Sequence, residues 1–184
     1  LTSGALSGGG ILVNEKGERF CNELKNYTAT GLAMLDQKRV YEILVPGCHS
    51  KVKVLADKGL IAKADSVADL SRQIGVSQSA LEKEIQLHNL ATDKKLVDRF
   101  GRTTYKVKLE PPFFWMEVMP LILQTLGGVV SNAKAQPVDE SGRVLYENLF
   151  AVGDVLSGYL DGGYRTGDAL MFGVVSGRIA GSHV

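Results

Sequence analysis

Chemically useful side chains in this sequence gather towards the C-terminus. Asn148, Leu149, Phe150, Ala151 and Val152 read as a buried strand that ends at Gly153-Asp154. A glycine-rich stretch follows over 157–167, and an apolar helix is expected over 168–180. A carboxylate at a strand end can accept hydrogen bonds from the hydroxyls of a sugar or polyol chain. Glycines let a backbone come close to a flat ligand, and a helix start offers N–H groups and a partial positive charge. The run of strand, Gly-Asp, glycine loop and helix therefore suits a flat, partly anionic ligand. The same run also closes a strand in many α/β chains that bind nothing there.

Other reactive side chains have structural readings beside the chemical ones. Arg19 and Glu23 lie four apart on an extended segment and share a face, as an acid–base pair or, the favoured reading, as a structural ion pair. Arg102, in Phe100-Gly101-Arg102, reads either as a charge reaching a cleft or as a solvated loop charge. His88 falls at i+7 from Leu81, with Ile85 between them, and is read as a half-buried structural residue. No second His, Cys or carboxylate stands near it at metal-ligand spacing, so no metal site is expected. Cys21 and Cys48 are far apart and form no CxxC, which points to two reduced, buried thiols in a cytosolic protein.

The elements that must carry these groups can be read along the chain. Gly8-Gly9-Gly10 leads into an apolar strand at Ile11-Leu12-Val13-Asn14, and Glu15-Lys16-Gly17-Glu18 is a turn with Gly17 at positive φ. A helix is expected over 28–37 and a strand over 40–45, ended by Pro46-Gly47. The middle is helical: 50–58, stopped by Gly59; a helix opened by Ser66 with Asp69 three residues on, ended at Gly75; and one capped by Ser77 or Ser79. Residues 98–110 read as a polar, basic loop, and Pro111-Pro112 as a boundary. Beyond it, 113–126 is apolar and strand-like, and Val129-Val130 with 138–146 suggest a hairpin turning at Glu140-Ser141-Gly142.

Composition narrows the class. The 184 residues are 45% hydrophobic and 22% charged, which suffices for an ordinary core. A net charge of +1 gives no basic surplus for nucleic acid. No apolar run approaches the ~18 residues that cross a bilayer, so no membrane span is expected. The start lacks both the basic and the apolar parts of a signal peptide, and with that the expected location is the cytoplasm. It also lacks an initiator Met and reads like the middle of a longer protein.

Several segments together resemble the fumarate reductase/succinate dehydrogenase flavoprotein family of FAD-dependent oxidoreductases. Ile11-Leu12-Val13-Asn14, Gly17, Arg19-Phe20 and Asn22-Glu23 resemble its "ILVN-x-x-G-x-RF-x-NE". Pro111-Pro112-Phe113 resembles "PPFY", Thr125-Leu126-Gly127-Gly128 "TMGG", and Leu149-Phe150-Ala151-Val152-Gly153-Asp154 "LFAVGD". Arg165-Thr166-Gly167-Asp168-Ala169-Leu170 resembles "R-L-G-G-N-A". Residues 48–95 resemble the family's mobile cap domain in type only. The resemblance implies an α+β chain in which a cap domain, 15–112, is inserted into the C-terminal part of an FAD-binding α/β domain, 1–14 and 113–184. It implies FAD as cofactor, held by Gly127, Gly128, Gly153, Asp154, Gly167, Asp168, Ala169 and Leu170. The family's Gly-x-Gly-x-x-Gly fingerprint for the FAD pyrophosphate is absent, so the N-terminal dinucleotide-binding segment is expected to be missing and tight FAD binding is not expected of this chain alone.

The resemblance also assigns substrate roles, and there the chain departs from the family. Arg165 falls where an Arg grips a substrate carboxylate. The proton-donor Arg falls on Tyr27, the relay carboxylate on Ser3 and the relay Arg on Leu6. Two substrate-binding His positions fall on Gln124 and Asp161. A dicarboxylate would be repelled at Asp161, so the expected reaction keeps the flavin and changes the substrate. Hydride would pass between FAD and a carbon–carbon bond of a fumarate-like or other α,β-unsaturated carbonyl compound, with Tyr27 or Tyr164 as the acid. As structural alternatives, Tyr27 and Tyr164 line a pocket wall. A non-catalytic fragment, cap plus incomplete flavin domain, is the second expectation, and its exposed apolar surface would favour a homodimer.

Overall fold

The order of the sheet follows from where apolar strands can find partners. In the computed structural model, which describes residues 2–122, 127–158 and 166–184, four strands form one antiparallel sheet. They are β1 (Ile11–Asn14), β2 (Val40–Leu44), β3 (Ala62–Ala64) and β4 (Phe113–Val118), in the order β1-β2-β4-β3. β2 is buried along its whole length and pairs Ile43 with both Ile11 and Trp115. The helices are α1 (Thr2–Gly8), α2 (Tyr27–Leu35), α3 (Val52–Asp57), α4 (Val67–Ile74), α5 (Gln78–Lys94) and α6 (Asp168–Gly181). The chain is thus mixed helix and strand, as expected.

The chain divides into two compact units, 1–25 with 29–120, and 26–28 with 121–184. In the first, Ile11, Val13, Tyr41 and Ile43 share a core with Leu70 and Ile74 of α4 and with Leu81 and Ile85 of α5. Each such fully buried aliphatic side chain contributes about 1.5–3 kcal/mol. Leu12 and Val40, on the other face of the sheet, pack with Leu6 of α1 and with Met34. The middle helices begin where the hydroxyls predict. Ser66 Oγ accepts from the Asp69 N–H at 3.0 Å, and Ser77 Oγ from the Ala80 N–H at 3.4 Å. The Asp69 carboxylate accepts from the Asp65 N–H rather than reaching back to Ser66. Gly17 sits at φ 81 in the turn after β1, as its type requires.

Several expectations change. Residues 2–8 are helical, although the sequence pattern signals no helix there. β3 carries no strand signal of its own, and β4 stops at Val118; of the strand expected over 113–126, residues 123–126 lie outside the described ones. Residues 148–152 are not a buried strand: Ala151 is buried, but Leu149 and Val152 are exposed, and a short 3-10 turn, Gly153–Val155, comes next. The hairpin turning at 140–142 is present only in short form, as an antiparallel bridge between Val138 and Val144, with further single bridges between Ser131 and Pro137 and, parallel, between Val129 and Leu156.

Candidate functional site

In the second unit the ligand-type residues are assembled around α6. Ser176 on α6 accepts a hydrogen bond from the Gly153 N–H at 2.9 Å and donates to the Phe172 carbonyl at 2.6 Å. This fixes the 153–155 turn, with Asp154, against the helix. Gly128 is held beside the same turn, because Val129 N–H donates to the Val155 carbonyl at 2.8 Å and Ser157 N–H to the Val129 carbonyl at 3.1 Å. A Cβ at Gly128 would lie 2.3 Å from the Val155 oxygen, so only glycine lets the two segments meet. The closeness that the sequence suggested for a ligand is thus used by the protein's own backbone at Gly128.

α6 begins at Asp168 after Gly167, and among the described residues no side chain caps it. The first amides of a helix have no acceptor within it and carry a partial positive charge. Ala169 is half-buried and Leu170 is 77% exposed. Gly127 and Asp154 are exposed as well. A helix start with no described side-chain cap, an exposed carboxylate on a turn and exposed glycine backbone are groups that could hold a flat cofactor with a hydroxyl chain. Tyr27, the first residue of α2, is 51% exposed. Gln124, Asp161, Tyr164 and Arg165 lie outside the described residues.

In the first unit, Arg19 and Glu23 form a buried ion pair, as favoured from the sequence, with Nε–Oε1 at 2.8 Å and Nη2–Oε2 at 2.7 Å. Arg102 is neither a solvated charge nor exposed to a cleft. Its side chain is fully buried and donates to Glu23 Oε2 at 3.0 Å and to the carbonyls of Gly10, Leu6 and Thr104. Asp98 joins through Arg19 at 2.8 Å. Burial opposes its charge, but the Arg102 N–H and the Arg19 guanidinium outweigh that and hold its carboxyl below the ordinary range.

His88 is completely buried rather than half-buried, with Nε2 3.1 Å from the Val107 carbonyl. Burial pushes its pKa down to about 4. Both cysteines are free; Cys48 is buried, whereas Cys21 is only partly so, with burial pushing its thiol up to about 12. Among the described residues no group of His, Cys, Asp and Glu could hold a metal, and no helix is long and apolar enough to cross a membrane.

Sequence reasoning missed two residues. Ser176 carried no signal beyond its place on the apolar helix. Glu42, fully buried in β2, was visible as one carboxylate inside the apolar run Val40–Leu44.

Comparison with known proteins gives one consistent result. A family model described as FAD binding domain matches residues 1–169. The chain is similar to the NADH:fumarate oxidoreductase of Klebsiella pneumoniae (strain 342), 30% identical over 98% of this chain and 21% of that protein. It is likewise 30% identical to the fumarate reductase of Schizosaccharomyces pombe, over 98% of this chain and 37% of that one. The chain therefore spans about a fifth to two-fifths of these relatives. The open conformation of a flavocytochrome c3 fumarate reductase superposes with a TM-score of 0.73 at 27% identity, covering all of this chain and 33% of that one. A 3-ketosteroid delta1-dehydrogenase from Sterolibacterium denitrificans shares the fold at a TM-score of 0.70 and 23% identity. Matched over nearly its whole length by one family model, with fumarate reductases among its relatives, the chain belongs to the FAD binding domain family of fumarate reductase-like flavoproteins.

Proposed function

We propose that this chain forms the substrate-facing and flavin-facing part of an oxidoreductase that moves a hydride between FAD and a carbon–carbon bond next to a carbonyl group. The observation that carries the reading is the second unit's arrangement: the uncapped start of α6 beside the Gly153-Asp154 turn, tied together by Ser176. Bound FAD supplies or accepts the hydride. The amides at the start of α6 would favour negative charge on the cofactor ring, and Asp154 would accept from its hydroxyl chain. Tyr27 would hand a proton to, or take it from, the substrate carbon, and Tyr164 is a second candidate for that role. Arg165 would orient the substrate's carboxylate or carbonyl, and Gln124 and Asp161 are further candidates for binding it.

In functional terms we assign 15–112 to a substrate clamp and 1–14 with 113–184 to the flavin side. That assignment cuts across the sheet, since β1 and β4 hydrogen-bond to β2. The loss of basic residues at the family's dicarboxylate positions favours a substrate with fewer charges than fumarate. Two copies of the chain associating as a homodimer has no support from the relatives.

Titration of the purified chain with FAD, followed by flavin fluorescence, tests the reading. Micromolar or tighter binding is expected if the described site suffices. No binding would leave a non-catalytic chain by itself and would send the catalytic reading to a longer polypeptide. In a flavin-loaded protein, Tyr27→Phe should lower kcat by about 10²–10⁴-fold, the usual weight of a positioned acid or base. Unchanged turnover would remove Tyr27 from the chemistry.

A further inference from the structure

We propose that α1 is a proton-dependent lid on the sheet of the first unit, one that packs down while Glu42 beneath it is protonated and opens more often once that carboxyl ionises. The device lies within the first unit alone and is independent of hydride transfer. Its placement follows from strand register. Glu42 pairs with Leu12 of β1 and with Met116 of β4, and directly opposed residues share a face of the sheet. Val40 and Leu44, two residues to either side on β2, share that face as well. α1 reaches this row at both ends. Its Leu6 packs with Leu12 and Val40. Near Leu44 the approach is so close that a Cβ at Gly10 would lie 2.5 Å from Leu44 Cδ2 and 3.2 Å from the Ala5 carbonyl oxygen. Glu42 stands between the two, under the helix. It is fully buried, and neither of its oxygens is hydrogen-bonded among the described residues.

The surroundings offer a charge there little. β1 and β4 present Leu12 and Met116 to it. Glu117, the next residue on β4, lies on the opposite face and is paired with Arg39 at 2.7 Å. α1 itself, TSGALSG, has no charged side chain. Phe20 and Met34 on this side are apolar, and Cys21 beside them is a partly buried thiol. The 3-10 turn Pro46–Cys48 brings the buried Cys48 thiol, which a charge on Glu42 pushes up. The chain's α-amino group favours the ionised form of Glu42, but burial outweighs it.

α1 is built to yield. Two glycines and three hydroxyl residues give it a weak helical preference, and so short a helix does not hold by itself in water. Its order therefore depends on packing against the sheet. Its C-terminal end is fastened: the Leu6 carbonyl accepts from Arg102 Nη2 and from the Gly9 N–H, each at 3.1 Å. Gly9, at φ 128, is a joint that a side chain would strain. An ionised carboxylate without a partner is far better placed in water than under apolar cover. Unwinding α1 supplies that water and leaves the β2 pairings intact, so the balance between closed and open α1 follows the proton on Glu42.

Hydrogen exchange of the chain at about pH 5, 6.5 and 8, corrected for the intrinsic pH dependence of exchange, tests this. Protection of the Leu6, Ser7 and Gly8 amides should lie below that of the buried Leu81 and Ile85 amides of α5, as an opening smaller than global unfolding requires. It should fall by roughly 10- to 100-fold from pH 5 to pH 8, because only closed α1 raises the carboxyl to about 7. Glu42→Gln keeps the shape and cannot ionise, so α1 should stay as protected at the alkaline end as at the acid end. Glu42→Met, of similar length and without polar atoms, should give the same flat profile and serves where the amide fails to pack.

One common protection for α1 and α5 would overturn the proposal, since α1 would then leave the sheet only when the whole unit unfolds. So would α1 protection that does not change with pH in the parent. A fall as large as the parent's in the folded Glu42 variants would assign the effect to another group and remove Glu42 from the device.

Discussion

Glu42 stands in the middle of β2, completely buried, with neither carboxylate oxygen hydrogen-bonded among the described residues. Burial pushes its pKa up to about 7 from an ordinary 4.5. The folded state then binds more protons than the unfolded one between those values, so this group costs stability as pH rises from about 4.5 to about 7, and the cost stays constant above. His88 has the opposite sign. Its folded pKa of about 4 lies below the ordinary 6.5, so it costs stability as pH falls through that interval. Where the two windows overlap, from pH 4.5 to 6.5, the slopes oppose each other. Glu42→Gln should therefore make stability climb with pH over that range, and should stabilise the protein at pH 8 by about 3 kcal/mol, the linkage value of about 2.5 pKa units. Urea unfolding midpoints at about pH 5, 6.5 and 8 check this. A midpoint for Glu42→Gln no higher than that of the parent at the most alkaline of these would mean that Glu42 is not ionised at a cost in the folded state.

At the scale of elements, Ser176 is a buried polar link between α6 and the 153–155 turn. Ser176 and Ala180 are the helix's buried residues, whereas Leu170, Met171, Val174 and Val175 are exposed. The hydrogen bond from Gly153 N–H to Ser176 helps to hold helix and turn in register. Ser176→Ala should destabilise the unit by about 1 kcal/mol, the usual net worth of such a bond, and should weaken FAD binding where the chain binds it. Gly128→Ala should do more, about 1–3 kcal/mol, because its Cβ would meet backbone that cannot step aside. Thermal melts of the two variants, ranked against the parent, check the order. Equal melting for Gly128→Ala and the parent would mean that the 128–129 and 155–157 segments separate easily.

At the scale of the molecule, the chain passes between the two compact units around 26–28 and again after Pro120. At the second crossing Met119, Leu121 and Ile122 are 80%, 77% and 85% exposed. Exposed connecting segments are where proteases cut first. Brief thermolysin or chymotrypsin treatment should cleave at 119–122 before it cuts within the sheet. A first cut inside β2 or α5 would show that the first unit is the weaker one. Flavin added beforehand should slow digestion of the second unit if that unit holds the cofactor.

How much of this was legible in the sequence depends on how local each signal was. β1, β2, α3, α4, α5 and α6 could be read to within a few residues, because period, capping serines and stopping glycines act over three or four neighbours. Ser66 and Ser77 cap as their types require. The Arg19–Glu23 pair was readable because its members lie four apart, and the order of motifs sufficed to place the chain in its family. Residues 148–152 show the limit. An apolar run before Gly-Asp looks like a buried strand, but a strand also needs a partner, and single bridges elsewhere in the unit replace one. Only the tertiary structure decided that Arg102 is a buried anchor. Its partners Glu23, Gly10 and Leu6 are 79, 92 and 96 residues away in the chain. Only it left Glu42 without a partner and set Gly128 against the 155 carbonyl. A side chain's environment is set by whatever long-range packing brings to it, and no window along the sequence contains that.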